Sequence, residues 1–476
     1  MARRSRAPEA VRAAAAAPAR SRARAHAAPR GRPGSARGVA LEVLVRAETT
    51  DAYADRLLET LVDRAGLDPR DRGLATELTL GTLRWQRRLD WALARASRRP
   101  LDDLAPWVRA LLRLTAYQLA FLDRIPPWAA VHEAVELAKR RRSAGATAFV
   151  NGVLRALAGE PRPWPVPTAP DPVEALALRA SHPTWLVERW WARYGPAETE
   201  ALALAMSEAP PVVVRANTLR MPVAAVAAAL RRAGVGTEPT RFAPEGLSLE
   251  RVGDLRRLAL LREGSAVVQD EAAILVGHAL GPRPGETVAD VCAAPGTKTT
   301  HLAALMENRG RIVAADPHAG RLGLLRAACA RVGAAIVEPR LADAQALAGD
   351  LGPTCDRVLV DAPCSNLGVL RRNPDGKWRR RPDDFAALVP VQTAILETAA
   401  ALVRPGGVLV YATCSLEPEE NEAVVAGFRA RRPDFVPDTL PPAVPAACRA
   451  APNVLRMTPH QHGSDGFTAH RLRRRA

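Results

Sequence analysis

The sequence predicts a multidomain protein in which an all-α domain precedes an α/β domain built on a mostly parallel, doubly wound sheet. Three observations predict it. The chain has 476 residues, too many for one ordinary domain. From about Arg37 to Gly159 apolar residues recur at helical spacing with little strand-type alternation. From about Gly285 onward short apolar runs alternate with helical stretches, and each run ends on an acid or a cysteine.

Residues 1–36 read as a disordered basic tail: an Arg/Ala/Pro mixture with one acid, Glu9, and without the apolar stretch of a secretory signal. A tail that touches RNA non-specifically is favoured over an organellar transit peptide, about two to one. Residues 37–160 form the helical domain, with helices expected over Asp71–Leu89, Pro106–Leu122, Ala129–Arg140 and Ala146–Ala158. The Pro-rich stretch Glu160–Pro172 opens a linker and helical connector, 161–205, whose Trp185, Trp190, Trp191 and Tyr194 fit core packing better than an RNA-stacking platform. Residues 206–282 make a small α/β segment suited to RNA recognition, with a strand in Pro211–Leu219 and helices Val223–Ala233 and Gln269–Leu280. In the last domain, 283–476, strands are expected at Thr287–Val291, Arg311–Ala315, Ala335–Glu338, Arg357–Val360 and Gly407–Ala412.

Composition narrows the function. A net charge of +17 and a pI near 10.8 point to a polyanionic partner, nucleic acid first, and weigh against a small-molecule substrate. No apolar run reaches the roughly 18 residues of a membrane span. The six cysteines, Cys292, Cys329, Cys355, Cys364, Cys414 and Cys448, include no C-x-x-C pair. That argues against a zinc site and against a secreted disulfide framework, and for a reducing cytoplasm; no metal is expected. Lysine is nearly absent: only Lys139, Lys298 and Lys377 interrupt a surface of arginine. Two of these fall in the motifs below, where a compact ammonium has a use.

In a doubly wound sheet ligands bind outside the carboxyl ends of the strands. The first strand runs into Cys292-Ala293-Ala294-Pro295-Gly296-Thr297-Lys298, whose small residues let backbone N–H groups approach a ligand at a helix start. A Walker P-loop fails on spacing, because Thr297 and Cys292 stand where that motif needs glycines. A nucleoside without a triphosphate fits better. Asp316 after the second strand is suited to ribose hydroxyls and Asp343 after the third to an adenine amino group. A lone strand-end Asp is more often a helix cap, but two in register with a small-residue loop reverse those odds. Asp361-Ala-Pro-Cys364 follows the fourth strand and Thr413-Cys414-Ser415 the fifth. A lone cysteine is usually a small buried hydrophobe. Two at strand ends facing one cleft, beside Lys298, point to thiol chemistry.

The stretches DVCAAPGTKTTHLA, DAPCSNLGVLRRNPDGKW and ATCSLEPEENE resemble the motifs of the RNA 5-methylcytosine methyltransferases of the Nop2/Sun superfamily. RGVALEVLVR, DRGLATELTLGTLRW, PPWAAVHEAVELAK and FVNGVLR resemble the NusB family of helical RNA-binding proteins. Together they narrow the likeness to the bacterial Sun/Fmu (RsmB) type, which methylates a cytosine of 16S rRNA, with SDGFTAHRLRR as its closing strand. The resemblance implies a NusB-like domain ahead of a Rossmann-like methyltransferase domain, S-adenosyl-L-methionine as cofactor at Cys292–Lys298, Asp316, Asp343 and Asp361, and 16S rRNA as partner of a cytoplasmic monomer. It departs from the family at Thr297, at Asn366-Leu367 and at Thr468.

The resemblance also implies a mechanism. Cys414 attacks C6 of the base, which makes C5 enamine-like and able to take a methyl group. Asp361 stabilises the base edge, and Cys364 serves release of the product. Arg371, Arg372, Lys377 and Trp378 form a basic-aromatic stretch that suits RNA contact and a solvated loop about equally. The rival readings are a non-catalytic NusB-like RNA-binding scaffold, and a methyltransferase acting on tRNA or another rRNA.

Overall fold

The computed structural model describes residues 34–141, 143–250 and 253–476. Most of the basic tail therefore lies outside the described residues. By contact density the described chain divides into a helical unit, 34–209 with 370–380, and an α/β unit, 210–369 with 381–476.

The helical unit begins with Ala36–Thr49, Ala54–Ala65, Pro69–Arg84, Gln86–Ala96, Pro106–Phe121, Pro127–Arg140 and Ala144–Ala158. Sequence signals set several starts. Ser35 Oγ accepts from the Gly38 N–H at 3.2 Å, and Asp68 accepts from the Asp71 N–H at 2.9 Å ahead of Pro69. The single helix expected over Asp71–Leu89 is two, because the chain leaves helical geometry at Trp85, whose ring stacks on Phe121 at 4.9 Å. Leu78, Leu89, Leu93, Leu111, Leu112 and Leu114 fill the centre. At Gly81 a Cβ would lie 2.1 Å from the Tyr117 ring, so only glycine permits that helix crossing. Two more helices follow, Pro172–Arg179 and Thr184–Met206, and the second carries the tryptophan cluster, of which Trp190 is buried edge-on to His182.

The stretch at 371–378 overturns both readings of it. Lys377 is 1% exposed and donates from Nζ to the Arg84 carbonyl at 2.7 Å. Trp378 donates from Nε1 to the Leu83 carbonyl at 2.7 Å, and the Arg371 carbonyl accepts from the Arg84 guanidinium at 2.9 Å. Lys377 and Trp378 thereby satisfy the last carbonyls of Pro69–Arg84. Burial, with Arg84 close by, pulls the Lys377 ammonium well below its usual range. They are packing, not an RNA platform.

The α/β unit holds two sheets. The smaller is antiparallel, in the order β2 (Gly236–Pro239), β3 (Gly246–Glu250), β1 (Val212–Ala216), β4 (Ala266–Val268). The larger has a parallel part in the order β7 (Val337–Leu341), β6 (Arg311–Asp316), β5 (Thr287–Asp290), β8 (Cys355–Asp361), β9 (Val403–Thr413). Antiparallel strands β13 (Phe467–Arg474), β12 (Val454–Met457) and β11 (Arg449–Ala451) extend it beyond β9, and β10 (Phe435–Pro437) also pairs with β13. Alternate residues serve the two faces. Val288, Ile312, Leu359 and Val410 pack with helices Glu271–Leu280, Thr297–Leu305 and Ala319–Val332. Ala289, Val313, Val358 and Leu409 pack with Ala344–Leu351, Asp384–Ala400 and Glu422–Arg431. Strand order reverses between β5 and β8, which opens a crevice at their carboxyl ends.

Candidate active site

Every strand of the parallel part places a residue expected in the site at or just beyond its carboxyl end. β5 runs into Cys292–Lys298, where Gly296 takes φ +105° and caps the helix Thr297–Leu305. A Cβ on Gly296 would lie 2.7 Å from Leu325, so this turn needs glycine twice over. Beneath it Asp290 is buried and accepts from Thr299 Oγ1 at 2.8 Å; burial pushes its carboxyl up to about 7. The Cys292 thiol is pushed upward too, by burial and then by Asp290, Asp361 and Asp316.

The loop's lysine is engaged. Lys298 Nζ donates to Asp361 Oδ2 at 2.7 Å and lies 5.0 Å from the centre of the Phe467 ring. Burial alone would lower its ammonium, but the Asp361 carboxylate outweighs that and holds it above its ordinary value. A lysine so committed suits a ligand without phosphates.

Asp316 and Asp343 stand at the next two strand ends in different states. Asp316 is 1% exposed, accepts from the His318 N–H at 2.9 Å and faces Arg321 at 3.5 Å. Asp343 is exposed and caps Ala344–Leu351 by accepting from the Ala346 N–H at 2.8 Å.

The two thiols converge. Cys364 Sγ lies 3.2 Å from Cys414 Sγ, and Cys414 Sγ lies 2.8 Å from Asn366 Oδ1. Asn366 adopts φ +62°, a left-handed conformation that asparagine tolerates, and so turns its amide back toward the sulfur. The neighbouring sulfur, and then burial, raise the Cys364 thiol well above its usual range. Cys364 thus stays protonated beside a half-buried Cys414.

Models of three families match the chain: 16S rRNA methyltransferase RsmB/F over residues 277–473, the NusB family over 34–159, and an RsmF/B-like ferredoxin-like domain over 182–256. A Bacillus subtilis protein described as a probable ribosomal RNA small subunit methyltransferase B is 39% identical over 91% of this chain and 97% of its own length. The ribosomal RNA small subunit methyltransferase B of Pseudomonas putida is 36% identical over 84% of this chain and 90% of its own. The chain belongs to the RsmB/F methyltransferase family. The crystal structure of PH0851 is similar in fold, with a TM-score of 0.79 and 29% identity over 92% of this chain and 98% of that one. Membership implies an enzyme that uses S-adenosylmethionine, and no helix among the described residues is long and apolar enough to cross a membrane.

In this RsmB/F methyltransferase the residues that set the thiols in place escaped the sequence reading. Glu420 is fully buried; it accepts from the Ser365 N–H at 2.7 Å, from Ser365 Oγ and from Gln392 Nε2 at 2.9 Å. Gln392 also donates to the Pro363 carbonyl at 3.0 Å, so one carboxylate fixes the loop around Cys364. Asn421 does the same for Cys414, accepting from Thr413 Oγ1 at 2.7 Å and donating to the carbonyls of Ser415 and Glu417. The Gly368 N–H donates to the Cys414 carbonyl at 2.9 Å, and the Gly466 N–H donates to the Gly368 carbonyl at 2.8 Å. A Cβ on Gly368 would stand 2.1 Å from the Gly466 carbonyl oxygen. The only sequence signal was the run Glu417–Glu422 directly after a strand-end thiol.

Proposed function

We propose that this methyltransferase methylates C5 of a cytosine in 16S rRNA, with Cys414 as covalent nucleophile. The observation that carries it is the pair of sulfurs 3.2 Å apart at the ends of β8 and β9, beside the Lys298–Asp361 pair. The Cys414 sulfur forms a bond to C6, and the ring electrons move to C5. When bound, S-adenosylmethionine supplies an electrophilic methyl group on its sulfonium. Release requires loss of H5 as a proton and cleavage of the S–C6 bond. A base takes H5, the C–H electron pair restores the C5–C6 double bond, and the S–C6 pair leaves on the Cys414 sulfur; Cys364, whose sulfur lies 3.2 Å from it, serves that release.

The chain's residues fit the cofactor. Asp316, Asp343, Asp361 and small-residue backbone stand at the carboxyl ends of β5 to β8, and the loop lysine is turned onto Asp361 rather than toward a phosphate. Asp316 would take the ribose hydroxyls, Asp343 the adenine edge, and Asp361 both the cofactor site and the base edge. Bringing the target base into the crevice costs a few kcal/mol of unstacking. The NusB-like helices supply further RNA surface.

The test uses unmodified 16S rRNA and labelled cofactor, followed by mapping of the modified base. Cys364→Ala accumulates a denaturation-resistant protein–RNA adduct, and Cys414→Ala forms none. Identical behaviour of the two variants overturns the assignment of roles, and label on a base other than cytosine overturns the reaction.

A further inference from the structure

Away from the thiols, three side chains from three elements of the α/β unit meet in its interior. Glu245 lies in the turn leading to β3, which is tied to β1 by the Ala216 N–H donating to the Glu245 carbonyl at 2.8 Å. His278 comes from Glu271–Leu280 and His301 from Thr297–Leu305, one turn beyond Lys298. One donor atom from each side chain lies within 4.8 Å of the others. We propose that Glu245, His278 and His301 form a buried binding site for a single zinc ion.

The argument starts from unmet bonding. His301 is 1% exposed, yet neither of its ring nitrogens has a hydrogen-bond partner. Buried ring nitrogens are rarely left so. Its Nε2 stands 3.8 Å from Glu245 Oε1, too far for a hydrogen bond but a separation two ligands adopt around one ion after slight contraction. His278 Nε2 completes the set at 2.9 Å from Glu245 Oε2. Two imidazoles and one carboxylate are a zinc donor set, and a fourth position remains for water. On binding, His278 Nε2 gives up its hydrogen bond to Glu245, and its proton moves to Nδ1.

One charge opposes the ion. The Arg215 guanidinium is buried nearby, but it is held by Gln269 Oε1 at 2.8 Å and Thr300 Oγ1 at 3.2 Å rather than by Glu245. Zinc, the Glu245 carboxylate and a bound hydroxide sum to zero, which leaves the Arg215 charge as the one left over. The absence of paired cysteines does not bear on this donor set. The rival is a buried carboxylate clamped by one histidine with the second histidine idle.

The experiment uses the full chain, produced with zinc in the medium, purified without chelator and analysed for metal by mass spectrometry. The expected content is about one zinc per chain. After chelation and refilling with cobalt, visible absorption between about 500 and 650 nm marks a four-coordinate nitrogen–oxygen site. His301→Ala and His278→Gln each lose the ion and the cobalt bands, with folding checked by far-UV circular dichroism. Wild-type chain that holds under about 0.1 zinc after incubation and desalting, and shows no cobalt bands, overturns the site. So does a full complement of metal retained by both folded variants. Neither measurement depends on methyl transfer.

Discussion

The thiol loops and the acidic strand ends sit on one edge of one sheet, yet they are held in opposite ways. Cys364 and Cys414 are fixed by a buried network from distant parts of the chain: Glu420, Gln392, Asn421 and the Gly368–Gly466 contact. Asp316 and Asp343 are held by N–H groups two and three residues on, at 2.9 and 2.8 Å. The difference suits the roles proposed for each. A sulfur that forms and breaks a covalent bond gains from placement within a fraction of an ångström. A cofactor gripped by several weak contacts tolerates adjustment in each.

The comparison is broken most severely at Glu420. Glu420→Leu strands the Ser365 N–H, Ser365 hydroxyl and Gln392 amide, and should destabilise the α/β unit by about 3 kcal/mol or more. Thermal unfolding reads that loss. If it stayed within the scatter of surface variants, the network would not be what holds the Cys364 loop. Gly368→Ala comes next: its methyl meets backbone on both sides, and a sulfur displaced by about 1 Å should lower kcat about 10²-fold while cofactor affinity changes little. Equal losses in kcat and in cofactor binding would count against separate control of the two regions.

A third change sharpens the contrast beneath the cofactor loop. Folding raises the Asp290 carboxyl from near 4 to about 7, so the folded chain binds the extra proton between those values. Its stabilisation is full below pH 4 and is lost as pH rises through 7, a change on the order of a few kcal/mol. Asp290→Asn should flatten that decline in urea titrations at pH 5 and pH 8; an unchanged slope assigns the decline elsewhere. The smallest effect belongs to Asp343→Ala, which removes an exposed cap worth about 1 kcal/mol. It should raise the KM for cofactor a few-fold and leave kcat alone. A lowered kcat with unchanged KM would remove Asp343 from the cofactor site.

The same contrast governs what the sequence made legible. Strand-end acids and thiols were readable because a buried parallel strand is an apolar run, and the first polar residue after it falls at the carboxyl edge by geometry alone. β5, β6, β8 and β9 were visible in this way. Short strands β2, β3, β10, β11 and β12 carry glycine, proline or arginine and pair antiparallel, so no apolar run marks them. Glu420 and Gln392 look like solvated residues in sequence, because nothing local says that a carboxylate will be buried against a loop 55 residues away. Lys377 and Trp378 misled for the same reason. Their basic-aromatic composition suggests nucleic acid, and their partners, Arg84 and Leu83, lie nearly 300 residues earlier.

Strand β13 is the last of its sheet to be synthesised, yet it lies inside the sheet, between β9 and β12. While a ribosome makes the residues that separate Thr413 from Phe467, β9 has finished but offers a bare row of N–H and C=O groups on one side. Phe467, which packs over Lys298, is missing for as long. Until β13 is in place β9 keeps that open edge, and a stall in this interval leaves it adhesive.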